Sequence, residues 1–415
     1  MAMNMEYKNK LTIKITITLI VLLISRIGIF IPIPGIDHQG FSSNIIDNKV
    51  INFLNIFSGG GFSTIGIFSL GIIPYINSSI ITKLLVKIVP QLEEIQKNDG
   101  ELGKQKIIKI TRYFTVIWAV IQSLSISLWI KPYTFNWNNY FILDLILILT
   151  TGSVIMMWFS ELITEYGIGN GPSLVIFQNI ISNIPRNLTN YNIQTTNNFL
   201  TITSITTLCI IILMTNILIQ DSKRKVNIIS TRQLGTLTNL KEQNYIPLKL
   251  NQGGVMPIVF ASAAIASPQY LLYTINENDK LIKPIIKLIL TNNTVYLLVY
   301  SILIILFSYF YSSIILNPDE ISENLQKMGA SLPNIRPGKE TIKYLQRVIN
   351  KLTLIGSLFL FLIAQLPFIV SKTTQLNIFQ GLGTTSLLIL VGVAIDTAKQ
   401  IQIYIISEQY DNMME

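Results

Sequence analysis

The chain has 415 residues, of which 50% are hydrophobic and only 13% charged, and its formal net charge is +9. The apolar residues stand in long blocks between short polar loops, a distribution that excludes a soluble globular protein of this length. Its one cysteine, Cys209, lies inside an apolar block, which excludes disulfides and cysteine-based metal sites.

Roughly 20 apolar residues cross a bilayer as a helix. In chain order, ten blocks read as spans, at 13–33, 67–89, 110–130, 140–161, 172–185, 198–220, 253–275, 294–316, 352–371 and 379–402. The fifth is shorter than a full span. The first runs past signal-peptide length without a small-residue cleavage site before Pro32, and no Arg/Ser-rich transit segment precedes it, so insertion without processing is expected. An Asn/Thr-rich hinge connector at 186–197 divides the chain into an N-terminal half, 1–185, and a C-terminal half, 198–415, each with five spans. Alternating the loops from side to side places 19 Lys/Arg on the side of the N-terminus and 7 on the other. By the positive-inside rule both termini face the cytoplasm or its equivalent. The long loops at 221–252 and 317–351 are basic and polar. They read either as topology determinants alone or as docking platforms for an acidic partner such as ribosomal RNA.

The second span of each half carries the same punctuation. Gly71-Ile72-Ile73-Pro74-Tyr75-Ile76-Asn77-Ser78-Ser79 matches Gly254-Val255-Met256-Pro257-Ile258-Val259-Phe260-Ala261-Ser262 in its Gly, its Pro three residues on, its aliphatics one and five residues after the Gly, and its closing Ser. Halves with an odd number of spans run in opposite directions, so the pattern reads as an inverted repeat with a pathway at the repeat interface.

Enzyme chemistry finds little support. His38, the only histidine, lies in a loop without a cysteine partner. The Gly-rich stretches at 58–61, 167–171 and 381–383 lack the Lys-Ser/Thr of a phosphate-binding loop. No cofactor or metal is expected. Ion-coupled transport needs ionisable or carbonyl sites at mid-membrane, whereas Arg26, Lys83, Lys87, Asp144, Glu161 and Asp396 all fall toward span ends. A secondary transporter built on the inverted repeat stays open as the alternative, without its coupling residues, and a pore-less membrane scaffold is a third reading. What the matched segments offer is aliphatic: Ile72 and Ile76 share a helix face, and Val255 and Val259 repeat the spacing. Aliphatic side chains converging on a narrow point close a path to ions by dewetting and part without losing hydrogen bonds.

These residues resemble SecY, the channel subunit of the Sec protein translocase, from about Ile13 to Tyr410. The densest stretches are RIGIFIPIPGID from Arg26, FSGGGFS through FSLGIIPYINSSII from Phe57, YGIGNGPSL from Tyr166, LKLNQGGVMPIVFAS from Leu248, NPDEISENLQKMGASLPNIRPG from Asn317 and GTTSLLILVGVAIDTAKQIQ from Gly383. The resemblance implies an all-α polytopic membrane protein of ten transmembrane helices in two inverted five-helix halves, with a short plug helix at about 55–65 and a lateral gate between spans two and seven. It implies a protein-conducting channel that moves signal-bearing polypeptides across the membrane or laterally into its lipids.

By motif, the resemblance carries a pore ring onto Ile72, Ile76, Ile176, Val259 and Ile389, with Val259 standing where Ile is usual. It carries the gate onto Asn77 and Phe260, the plug onto Asn55, Phe57, Gly59, Gly60, Gly61 and Ile65, and cytoplasmic docking onto Arg232, Lys241 and Arg336. After Gly235 this chain has Thr236 and Leu237 where relatives commonly have arginines, which bears on docking through that loop tip. The implied partners are a SecE-type clamp subunit and a motor ATPase, SecA, and/or the ribosome. The short termini, the missing transit segment and the Ile/Asn-rich composition look like a plastid-encoded member in the thylakoid membrane with both termini stromal; an AT-rich bacterial inner-membrane protein is the alternative.

Overall fold

The computed structural model describes residues 2–38, 40–41, 58–61, 65–98, 100–189, 198–230, 245–254, 256–261, 264–265, 293–374 and 384–414. Among the described residues the helices include α1 (Ala2–Ile29), α2 (Ile73–Ile88), α3 (Pro90–Asn98), α4 (Gly100–Ile130), α5 (Asn139–Tyr166), α6 (Gly171–Thr189), α7 (Asn198–Asp221), α8 (Asn293–Ile315), α9 (Pro318–Lys327), α10 (Lys339–Thr374) and α11 (Thr384–Met414), and residues 256–261 are also helical. Six stretches of the described residues are long and apolar enough to cross a membrane: Leu11–Ile29, Gly100–Tyr133, Asn139–Tyr166, Val295–Lys327, Lys339–Gln365 and Leu388–Ser407.

Several sequence boundaries shift, two of them at the entries to short spans. The block at 172–185 lies within a longer, 19-residue helix, Gly171–Thr189, entered from the Gly167–Asn170 turn. The block at 67–89 is helical only from Ile73, because residues 65–72 are spent on successive turns. There Ser69 N donates to Gly66 O at 3.0 Å and Gly71 N to Phe68 O at 2.9 Å.

The described residues fall into two compact units, one drawn from 1–195, 262–293 and 367–415, the other from 196–261 and 294–366. In the first unit α2 packs on α4, α4 on α5, α5 on both α1 and α6, and α6 on α11. Lipid tails are as apolar as the side chains they would displace, so helix association in a bilayer rests on close packing and interhelical hydrogen bonds. Both are present. Ser78 of α2 lies 2.7 Å from the Thr115 hydroxyl of α4 and 3.3 Å from the Thr111 carbonyl, and all three residues are buried. Arg112 of α4 pairs through two nitrogens with Glu161 of α5, at 3.0 and 2.8 Å, so the span-end carboxylate is held by an ion pair.

The second unit turns the two basic loops into one structure. β1 (Lys223–Asn227) pairs antiparallel with β3 (Tyr245–Lys249), and β2 (Ile229–Ser230) with β4 (Ala330–Ser331), so the second pair ties the first loop to the second. Inward residues of the ladder, Val226 and Leu248, pack with Leu332 and with Leu345, Val348, Ile349 and Leu352 from the first turns of α10. Period-two alternation on β3 and 3.6-residue periodicity on α10 thus meet, with Val226 of β1, in one small apolar core. Asn317 caps α9, its side chain accepting from Asp319 N at 3.2 Å and donating to Glu320 Oε1 at 3.1 Å.

Candidate functional site

The two matched punctuation segments fold alike. Gly71 and Gly254 have φ of 55 and 58°, a left-handed conformation that a side chain resists. Each lies two residues before the first helical residue, Ile73 or Met256, and each is followed by a proline in the second helical position. Proline suits a first turn because its missing N–H has no intrahelical partner there anyway. In α2 the Ile72 carbonyl accepts from Ile76 N at 3.1 Å, which places the two isoleucines one turn apart on one face at the mouth of the helix. Val255 lies outside the described residues.

The five ring candidates are all buried. Ile72, Ile76, Ile176 and Ile389 belong to the first unit, on α2, α6 and α11; Val259 belongs to the second. Both gate candidates are buried as well: Asn77 at 7% exposure on α2, and Phe260 between Phe307 and Tyr311 of α8, with ring centroids 6.0 and 5.5 Å away.

Of the plug candidates, Gly59, Gly60, Gly61 and Ile65 are described, whereas Asn55 and Phe57 lie outside the described residues. Ser58 to Gly60 form a turn closed by Gly61 N donating to Ser58 O at 3.2 Å. The chain then returns against the end of α1. Ile33 N donates to Ile65 O at 3.2 Å, Ile67 N to Ile31 O at 3.0 Å, and Pro32 bridges Gly66. This pairing holds Ile65 at φ 42°. For a β-branched residue that is a strained conformation, costing about 1–3 kcal/mol, of the kind found where structure switches.

Among the docking candidates, Arg232 and Lys241 lie outside the described residues, as do Thr236 and Leu237. Arg336 is exposed on a turn between β4 and α10. That turn is rigidly built: Ile335 N donates to Leu332 O at 3.3 Å, Thr341 Oγ1 to Arg336 O at 2.9 Å, and Ile335 packs on the apolar core. The Arg336 guanidinium is thereby presented from a fixed backbone, which lowers the ordering cost of any contact it makes.

The sequence reading passed over a polar cluster at the end of α1. Arg26 Nη1 donates to the Gly59 carbonyl. Ser25 Oγ donates to Gln178 Oε1 at 3.1 Å, and Gln178 Nε2 to Leu22 O at 2.7 Å. The signal was available, since three amides at positions 178, 179 and 183 are unusual in a membrane span.

The SecY family profile matches residues 66–398. The chain is 54% identical over 411 residues to the protein translocase subunit SecY of Porphyra purpurea, covering 99% of this chain and 100% of that protein. It is 47% identical to that of a Synechocystis strain, covering 97 and 94%. A solved protein-conducting channel superposes with a TM-score of 0.65 at 18% identity, over 96% of this chain and 93% of that one. Sec61 from a canine ribosome–channel complex superposes at 0.61 and 18% over the same shares, so the fold is shared with that channel. A multi-pass, mostly helical protein with matched glycine–proline helix entries, a buried aliphatic set and a full-length likeness to these translocase subunits belongs to the SecY family.

Proposed function

We propose that this Sec channel subunit conducts polypeptides along a path closed by Ile72, Ile76, Ile176, Val259 and Ile389, with 55–65 as a plug beyond them. As a member of the family it is a protein-conducting, non-enzymatic transport subunit of the translocase. The observation that carries the reading is the pair of equivalent helix entries at Gly71 and Gly254, which set aliphatic residues at broken points of two spans. Such a ring excludes ions by dewetting and yields to a passing chain without breaking hydrogen bonds.

Ten spans in two inverted halves, 1–185 and 198–415 about the 186–197 connector, account for the matched entries and for the uneven loop charge. A signal segment would enter beside Asn77 and Phe260; each apolar CH₂ taken from water contributes about 0.8 kcal/mol toward parting the gate. The chain holds no chemistry for driving transport, so direction comes from a ribosome or a SecA-type motor docked on the platform around Arg336, with a SecE-type clamp subunit bracing the halves. Relatives from plastid-bearing algae and the charge asymmetry support a thylakoid location with both termini in the stroma. Planar-bilayer conductance of a variant lacking 55–65 tests the pore: a raised closed-state conductance is expected, and wild-type tightness would refute it.

A further inference from the structure

Arg26 is the only arginine of α1 and sits in its last turn, its guanidinium over the Phe30 ring with Cζ 4.5 Å from the centroid. One of its hydrogen bonds goes to a backbone carbonyl, that of Gly59. Asn179 of α6, 1% exposed, closes on the same glycine: a methyl group at Gly59 would lie 2.6 Å from Asn179 Oδ1 and 2.8 Å from Arg26 Nη1. Behind them, Ser25 and Gln178 tie α1 to α6, and Asn183 Nδ2 donates to the Asn179 carbonyl at 3.1 Å. Buried amides and a half-buried cation in a membrane protein are costly unless they are paired. Here the cation and one amide, Asn179, meet at one glycine turn, with Gln178 and Asn183 hydrogen-bonded behind them.

We propose that Arg26 and Asn179, braced by Gln178, form a latch that holds the Gly59 turn in the closed channel. They are then positioning residues for the plug and set the threshold that a signal segment must exceed. The glycine is required by the latch itself, because φ at Gly59 is 69° and there is no room for a Cβ between the two side chains. A restraint is also needed: closure holds Ile65 at φ 42°, so the closed state works against backbone strain next to the turn. Release of the Gly59 carbonyl would remove the hold of Arg26 on the turn and leave the strand-like pairing at 31–33 and 65–67 in place.

The inference rests on reading 55–65 as the plug, and the test separates the two. The full-length protein, assembled in its translocase complex in proteoliposomes, is assayed for closed-state ion conductance and for transport of a substrate with a weakened signal. The variants are Arg26→Gln, Arg26→Lys, Asn179→Ala, the Arg26→Gln/Asn179→Ala pair and the deletion of 55–65. Arg26→Gln and Asn179→Ala are each expected to raise conductance about tenfold, equivalent to about 1.4 kcal/mol, and to pass the weakened signal. Arg26→Lys keeps a cationic donor for the carbonyl and should stay closed. The pair should leak little more than Arg26→Gln, because both side chains hold one turn and their effects do not add. A leaking deletion with both single variants tight would overturn the latch and leave the plug reading intact. A tight deletion would overturn both. Should Arg26→Gln fail to assemble, the milder Asn179→Ala and Arg26→Lys decide the question between them.

Discussion

Replacing Ile72 with asparagine tests the aliphatic seal with less confusion from misfolding than the same change at Ile76, because of where Ile72 sits. It is fully buried, so the lost side chain removes about 1.5–3 kcal/mol of apolar burial. Yet Ile72 also occupies the N-cap of α2, where it supplies no side-chain hydrogen bond. Asparagine is among the preferred N-caps, and with ψ near 1° instead of the extended value its gain is at the low end, about 0.5 kcal/mol. The cap satisfies only the amide oxygen, and Nδ2 buried without a partner adds about 1–3 kcal/mol, for a net cost of about 2–5.5 kcal/mol. Ile76→Asn, one turn into the helix, has no cap to make and buries an unpaired amide, for a cost of about 2.5–6 kcal/mol. Both variants should leak ions in proteoliposomes, and Ile72→Asn, which keeps one cap hydrogen bond, should accumulate better than Ile76→Asn. If folded Ile72→Asn held ions as tightly as the wild type, the dewetting argument for this ring would fail.

Three further outcomes follow from the described geometry. Leu345 is fully buried in the core beneath the two basic loops, so Leu345→Ala should destabilise that platform by about 2–5 kcal/mol. Hydrogen exchange would then rise together at 223–227, 245–249 and 339–352, and unchanged protection would refute a shared core. Arg336→Glu should leave the fold intact, because it is the Arg336 backbone carbonyl that holds the turn, while weakening salt-sensitive binding of ribosomes or of a motor ATPase; undiminished binding at low salt would remove Arg336 from the docking surface. Photoreactive residues at Asn77 and Phe260 should both crosslink a stalled signal segment, and labelling of neither would move the gate elsewhere.

Much of the architecture was legible because membrane spans announce themselves by length and hydropathy, as at 140–161 and 294–316. The helix entries were legible because Gly and Pro restrict the backbone locally, and the structure gives Gly71 and Gly254 one conformation. The start of α2 was less so, since an apolar run such as 67–72 reads the same whether it is helix or turn. The platform core escaped because its members lie far apart in sequence: Val226 and Leu345 have no local relation until the β1–β3 ladder forms. The Arg26–Gly59 contact escaped for a related reason. An arginine at a span end reads as snorkelling, and the partner in this contact is a backbone carbonyl, which no side-chain motif encodes.

The central claim is that a polypeptide in transit passes within the aliphatic ring. Photoreactive amino acids placed singly at Ile72, Ile176, Val259 and Ile389, with a translocating chain stalled midway, test it most directly. Crosslinks from all four positions to the stalled chain, lost when the chain is released, are predicted. Absence of crosslinks at all four, with the chain still membrane-protected, would place the path elsewhere and contradict the account.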